Sequence, residues 1–342
     1  MTSPFGPLVI IANPRSGRGK VGAHLVEIER ILTGAGLSYR IVRTTHPGHA
    51  TEAARDALDR GERYLVVAGG DGTVHVVLNG MIPGDHPVAG DAVLGVVAAG
   101  SGCDFVRSFG LPGDAVEAAR HLAGDNVRLI DVAKVTFMSG AGSGLGAGGG
   151  PGLGPGPGPG PGPGPGPGPG PGPGPGSAEV TRYFANIAEA GLGGEVVGRT
   201  LRLPGFLGGA KYFFGFWLTL PGFGPRTVRI DADGQEYAWR AFNVVVANCR
   251  FYGGGMQISP KSDPCDGALE VLVMTGPKSE AFTTLPKVYR GTHLPHRNIA
   301  ELRASRVRVE ADPPLEIEAD GEILGTTPAT FEVIPQAIRV KV

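Results

Sequence analysis

Tyr64-Leu-Val-Val-Ala68 runs directly into Gly69-Gly70-Asp71-Gly72-Thr73. The first five residues are apolar and rich in β-branched side chains, the pattern of a strand buried on both faces. The next five set three glycines around one carboxylate, a poor core and a good seat for a phosphate. Glycine lets an anion approach the backbone, and the first amides of a following helix point donors at it. Asp71 would repel a phosphate directly, so it suits that seat through a divalent cation or an ordered water. A glycine-rich turn with Asp71 as a helix cap accounts for the same residues. Neighbouring segments have to decide.

They repeat the pattern. Leu8-Val-Ile-Ile-Ala12 is a second continuous apolar run, followed by Val21, Leu25, Ile28, Ile31 and Leu32 at helical spacing, with Gly34 and Gly36 as the stop. Tyr39–Arg43 and Val93–Ala98 predict two more strands; residues 50–58, 73–78 and 114–122 predict helices. Strand–helix alternation over the first 130 residues implies a doubly wound parallel sheet with helices on both faces. Ligands in such sheets bind beyond the carboxyl ends of the strands, where every glycine-rich segment of this half falls.

After Asp131 the texture changes. Residues 128–137, 183–187, 227–230, 242–247, 268–273 and 306–310 read as strands joined by short turns, a β-sandwich-like second domain. Within it, residues 139–177 form an insertion that becomes a strict Pro-Gly repeat from Pro155 to Gly176. Half its residues lack an amide donor and it has no apolar face, so it builds no core; its period of two excludes collagen. The expected division is 1–130 with a return segment 323–342 for the first domain, and 131–322 for the second.

Composition narrows the function. A net charge of −1 over 342 residues provides no field for nucleic acid. Cys103, Cys249 and Cys265 are far apart and form no CxxC pair, which fits a reducing cytosol and no zinc site. The N-terminus has no basic region before its short apolar run, and Tyr212–Leu218 is far short of a span. The expectation is a cytoplasmic protein able to touch a bilayer.

Three further segments carry chemistry. Asn13-Pro-Arg-Ser16-Gly17-Arg-Gly-Lys20 follows the first strand; it is not a Walker loop, because Pro14 and Val21 stand where a glycine and a hydroxyl belong. It still brings amides and three cations to a helix start, or is an ordinary basic loop. Gly100-Ser101-Gly-Cys-Asp104-Phe105 follows the fourth strand as Gly69–Thr73 follows the third, which would bring Asp71 and Asp104 to one crevice and suit magnesium against nucleotide phosphates. Glu318-Ala-Asp320-Gly321-Glu322 alone is a turn, and gains meaning only if the tail folds back on the first domain.

Taken in order, these motifs resemble the diacylglycerol kinase catalytic-domain family, bacterial lipid kinases related to sphingosine and ceramide kinases. The carriers are Asn13-Pro-x-Ser-Gly17, Gly69–Thr73 with Asn79-Gly80, Gly100–Phe105 with Gly110-Leu-Pro112, Asn248, Gly253-Gly-Gly-Met256, Pro260, Asp266-Gly267 and Asp320-Gly-Glu322. NAD kinases and phosphofructokinases share only the first domain's pattern. The resemblance implies an α/β fold with an NAD kinase-like nucleotide domain, ATP as phosphoryl donor, Mg2+, and a lipid acceptor, diacylglycerol before other lipids. It implies nucleotide contacts from Asn13, Ser16, Gly17, Thr44, Gly69, Gly70, Asp71, Gly72, Thr73 and Ser101. Asp71, Asp104 and Glu322 would organise magnesium and water. Asp320 would accept the lipid hydroxyl's proton, a role Glu322 is close enough to contest; at a reference pKa of about 3.9 an aspartate contributes more by orientation than by proton removal. Asp266, with carbonyls near Asp263 and Ala268, would hold a second, structural metal.

Partners would be a membrane lipid and the inner face of the bilayer, with a homodimer as an allowed assembly. Residues 203–207 and 212–217, flanked by Arg202 and Lys211, offer an apolar approach to lipid, or equally a core helix. The arginines between Lys287 and Arg308 either meet anionic lipid or form a solvated face. Three departures from the family pattern stand out: Cys103 for an asparagine, His75-Val76 for an Asn-Glu pair, and Cys265 for an acidic residue. Cys103 and His75-Val76 favour a rival reading as a non-catalytic nucleotide or lipid binder, which the retained Asp71, Asp104, Asp320 and Glu322 oppose; Cys265 would weaken the second metal site.

Overall fold

The computed structural model describes residues 3–14, 16, 20–98, 103–138, 178–201, 203 and 210–342, the side chains at 20, 23, 201 and 210–213 excepted. The Pro-Gly insertion at 139–177 lies outside the described residues.

Four parallel strands form the first domain: β1 (Leu8–Ala12), β2 (Tyr39–Arg43), β3 (Tyr64–Gly69) and β4 (Val93–Ala98), in the order β2-β1-β3-β4. Every residue of β1, β3 and β4 is buried, as their unbroken apolar runs require. Alternate side chains serve opposite faces. Leu8, Ile10 and Ala12 pack under α1 (Lys20–Gly34) and α5 (Ala115–His121). Val9 and Ile11 pack under α2 (His49–Asp59) and α3 (Asp71–Met81). The short α4 (Asp104–Ser108) lies between β4 and α5. α3 starts at Asp71 rather than Thr73, because Gly70 takes the extended conformation that opens a helix.

α2 and α3 meet at Gly80. A Cβ built there would stand 2.6 Å from the Thr51 carbonyl oxygen and 2.8 Å from Ala54 Cβ. Gly80→Ala is therefore expected to cost about 1–3 kcal/mol by forcing the helices apart. Chemical denaturation with an unchanged midpoint would refute it.

The second domain begins with β5 (Val127–Met138) and β6 (Glu179–Phe184), then β7 (Ile187–Gly191), α6 (Leu192–Leu201) and α7 (Ala210–Thr219). The rest is almost all strand: β8 (Arg226–Ala232), β9 (Gln235–Ala241), β10 (Asn243–Ala247), β11 (Leu269–Met274), β12 (Ile299–Ala304), β13 (Arg306–Asp312), β14 (Glu316–Ala319), β15 (Glu322–Thr326) and β16 (Ala329–Lys341), with α8 (Ala281–Val288) between β11 and β12. Six strands make one sheet, β12-β11-β10-β7-β14-β15. Its inner face (Ala188, Val246, Val271, Ile317) packs on Val135, Phe184, Val307 and Phe331 of the larger sheet, completing the sandwich.

β16 ties the two domains. Its first half pairs with β13, its end pairs in parallel with β4, and β5 follows it along both halves. The return segment expected from residue 323 therefore reaches the first sheet only at Arg339 and Val340. Residues 322–326 stay in the second domain because β15 is one arm of a hairpin with β14, itself paired to β7. Asp131, on β5, locks the junction by accepting from Gly267 N (2.7 Å) and Gln336 N (2.8 Å).

Candidate active site

Asp320 and Gly321 are the two central residues of the β14–β15 hairpin, and both take positive φ, 50° and 87°. This is the tight turn that matches strand twist, and Asp-Gly is among the sequences that form it. The turn places Asp320 against the start of β7. Its Oδ1 accepts from Asn186 N (3.1 Å) and Ile187 N (3.2 Å); its Oδ2 accepts from Ala185 N (3.1 Å) and from His75 Nδ1 (3.3 Å) on α3. The tail triplet thus lies against the first domain. His75, where the family pattern has asparagine, supplies the side-chain donor.

Glu322, one residue past the turn, leans over the first turn of α3. Its Oε1 stands 3.6 Å from where a Gly72 Cβ would be. Unlike Asp320, its carboxylate is exposed and has no hydrogen bond or ion pair among the described residues. Beside it are the free amides that open α3, the feature that binds phosphate.

Asp71 is held from the other side. Its Oδ2 accepts from Asp104 N (3.1 Å) and its Oδ1 from Phe105 N (3.0 Å), so the third strand's turn clamps the start of α4. Burial pushes Asp71 up to about 6, opposed by those two amides and reinforced by the charges of Asp104 and Asp320. Asp104 in turn binds Arg107 and accepts from Gly254 N at 2.7 Å. Burial raises it too, with the Gly254 amide and Arg107 opposing. Gly253, Gly254 and Gly255 all adopt positive φ, which aims that amide from the second domain. Asn79 adds a second cross-domain clamp, donating to Tyr183 O and accepting from Tyr183 N.

Asn13, Ser16, Thr44, Gly70, Asp71, Gly72 and Thr73 line one end of a cleft of about 830 Å3. Gly69 lies just behind it, buried at the end of β3. Gly17 and Ser101 lie outside the described residues, as do Arg202 and 204–207 and the side chains of Lys20, Lys211 and Tyr212. Among the described residues no three His, Cys, Asp or Glu side chains converge into a metal cage. Crowded carboxylates beside a phosphate seat do fit a magnesium ion held jointly with nucleotide phosphates. The second expected metal position does not fit. Asp266 Oδ2 binds Arg303 Nη2 at 2.7 Å, its Oδ1 accepts from Ala268 N, and Asp263 faces Arg128 at 3.8 Å. A guanidinium already supplies the positive charge there.

From Asp320 the cleft continues over the outer face of the six-stranded sheet, under a cover made by residues 252–258 and α8. Leu192, Val196, Met256, Leu285 and Val288 make it apolar, as a lipid chain requires. Two glutamates interrupt that floor. Glu189 and Glu318 stand opposite each other on β7 and β14, 2% and 4% exposed. Nothing in the sequence warned of them: Glu189 lies beyond the strand expected at 183–187, which the structure breaks into the end of β6 and the start of β7, and Glu318 was read only as part of a turn.

Comparison with known proteins agrees with this geometry. A family model for the diacylglycerol kinase catalytic domain matches residues 7–135, and one for the YegS C-terminal NAD kinase beta sandwich-like domain matches residues 186–342. A diacylglycerol kinase of Bacillus subtilis is 27% identical, with 97% of this chain and 94% of that protein covered. A diacylglycerol kinase of Mycobacterium tuberculosis is 24% identical over 98% and 95%. The crystal structure of a diacylglycerol kinase from Bacillus anthracis superposes with a TM-score of 0.68, at 23% identity, over 99% of this chain and 97% of that one. With both halves matched in order, and the hairpin carboxylates brought to the phosphate seat, the chain belongs to the diacylglycerol kinase catalytic-domain family and is a lipid kinase.

Proposed function

We propose that the protein transfers the γ-phosphoryl of ATP to the hydroxyl of a membrane lipid, with diacylglycerol, the acceptor named for its relatives, as the first substrate to test. One observation carries the reading: Glu322 of the second domain stands over the first turn of α3, where a γ-phosphate would lie, on a hairpin that Asp320 ties to His75 of the same helix. Phosphoryl transfer depends on positioning and charge neutralisation more than on covalent help. The amides of α3 hold the phosphates, and Asp71 is placed to hold magnesium through water or phosphate. Bound magnesium would offset the phosphate charge. We assign Glu322 to orient the acceptor hydroxyl and receive its proton, because its carboxylate is free. Asp320, already accepting four hydrogen bonds, fixes the hairpin that presents it. The test is labelled ATP with diacylglycerol in mixed micelles, with and without magnesium. Phosphatidic acid formed only with magnesium supports the reading, and no transfer to any lipid of a panel removes it.

The approach to the membrane is apolar. Ala281, Leu285 and Val288 of α8, with Tyr289 at its end, line the cleft, while Phe282, on the other side, is 67% exposed. Leu218 of α7 is 52% exposed, and its neighbour Trp217 meets Phe282 in a tilted ring contact at 4.4 Å, which brings α7 and α8 together beside the cleft. The nearby arginines offer less. Arg297, Arg303 and Arg306 are paired with Glu280, Asp266 and Glu332. No helix among the described residues is long and apolar enough to cross a membrane. Replacing Phe282 and Leu218 together by serine is expected to weaken sedimentation with lipid vesicles at least about tenfold. Unchanged co-sedimentation would place the membrane face elsewhere.

A further inference from the structure

Glu189 and Glu318 in the cleft floor take no part in the phosphoryl transfer proposed above. Glu189 Oε1 accepts from Asn243 Nδ2 at 3.1 Å, and the Tyr252 hydroxyl also hydrogen-bonds to Glu189. Glu318 Oε2 accepts from Gly321 N at 2.9 Å, the glycine of the Asp320 turn, and no described donor reaches its other oxygen. Asn186, 5% exposed and adjacent to the amides that hold Asp320, lines the same cleft with its Oδ1 buried and without a partner. Asn186 Oδ1 and the second oxygen of Glu318 are thus left as unpaired acceptors, while the Asn243 amide and the Tyr252 hydroxyl are committed to Glu189.

Complementarity then constrains the ligand. A buried polar group without its partner costs about 1–3 kcal/mol, so the lipid's polar part must bring donors. Diacylglycerol has a single hydroxyl, which is the one phosphorylated, and two esters that only accept. Its esters bring no donor to Asn186 Oδ1.

We propose, resting on the lipid-kinase reading above, that the acceptor lipid carries a second hydrogen-bond donor, an ammonium or a hydroxyl, beside the hydroxyl that is phosphorylated, and that Glu189 and Glu318 select it. Neither glutamate forms a salt bridge with a described Lys, Arg or His, so an ammonium would be their first counter-charge. Burial without a counter-charge pushes Glu189 up to about 7 and raises Glu318 well above the usual carboxylate range, and a bound ammonium would draw both back toward the charged form.

Mixed micelles carrying a sphingoid base, a monoacylglycerol or a diacylglycerol of matched chain length test this on the full protein, with binding and phosphoryl transfer from ATP read in the same samples. The sphingoid base and the monoacylglycerol are expected to bind at least about tenfold tighter than diacylglycerol, one well-made hydrogen bond's difference. A sphingoid base ahead of the monoacylglycerol identifies the donor as ammonium; equal binding identifies it as hydroxyl. Glu189→Gln and Glu318→Gln keep the side-chain volume and are each expected to erase most of that advantage. Diacylglycerol binding as tightly as either rival, or an order unchanged in both variants, overturns the proposal. Should either variant fail to fold, the wild-type order alone decides. The expected binding order with no lipid phosphorylated would leave this inference standing and remove the kinase reading instead.

Discussion

Glu322→Gln is expected to lower kcat about 100- to 10,000-fold, the range a positioned general base contributes, with the thermal midpoint unchanged. Both halves follow from the same fact. The Glu322 carboxylate is exposed beside the opening of α3 and has no hydrogen bond or ion pair among the described residues, so removing its charge disturbs no packing. Glutamine keeps the shape and loses the ability to take a proton. The pH profile supplies an internal control. Asp71, pushed up to about 6, must be ionised to keep both amides of α4 and to meet a cation, so kcat/KM is expected to fall as pH drops through about 6. That acid limb should persist in Glu322→Gln. A variant within about threefold of wild type would take Glu322 out of the reaction.

The sign of the Asp71 effect on stability is opposite. A carboxyl whose folded pKa lies above its unfolded value stabilises the protein fully below the unfolded value, and that contribution is lost as pH rises through about 6. Acid therefore favours the metal-free fold at this residue while it disables the site.

Asp320→Ala should fail in both respects, and this contrast is the second large effect. The substitution strands the amides of Ala185, Asn186 and Ile187 and the Nδ1 of His75. A few such groups, partly rehydrated, cost about 2–4 kcal/mol in all. Turnover should fall at least about 100-fold, because a displacement near 1 Å in a reacting group costs that much and the hairpin carries Glu322. ATP binding is expected to remain, since Asn13, Ser16 and Thr44 belong to the other domain. Equilibrium denaturation and nucleotide titration of the same variant separate the effects. Wild-type melting together with wild-type turnover would sink the assignment of Asp320 as the residue that fixes the hairpin.

The described part of the first domain was largely legible. Strands buried on both faces leave continuous apolar runs, and the helices over them keep their spacing, so predicted and observed limits differ by three residues or fewer, the short α4 alone being unpredicted. β9, β12, β14, β15 and β16 were not read as strands; β9 and β12 are each the edge of a sheet and mix polar with apolar residues (Gln235–Ala241, Ile299–Ala304). The hairpin turn was visible as Asp-Gly and nothing more. A turn's sequence fixes its own φ angles, while its neighbours come from residues well over 100 positions away.

From sequence alone came the doubly wound first half, the β-rich second half and the glycine turn at Gly69–Thr73, because those rest on local periodicity and on the backbone freedom of glycine. Tertiary structure alone decided which carboxylate at the seat is free, that Arg303 stands where a metal was expected, and that Glu189 and Glu318 face a covered cleft. Charge and hydrogen-bond capacity are written into each side chain, but what answers them is whatever distant strand the fold brings alongside.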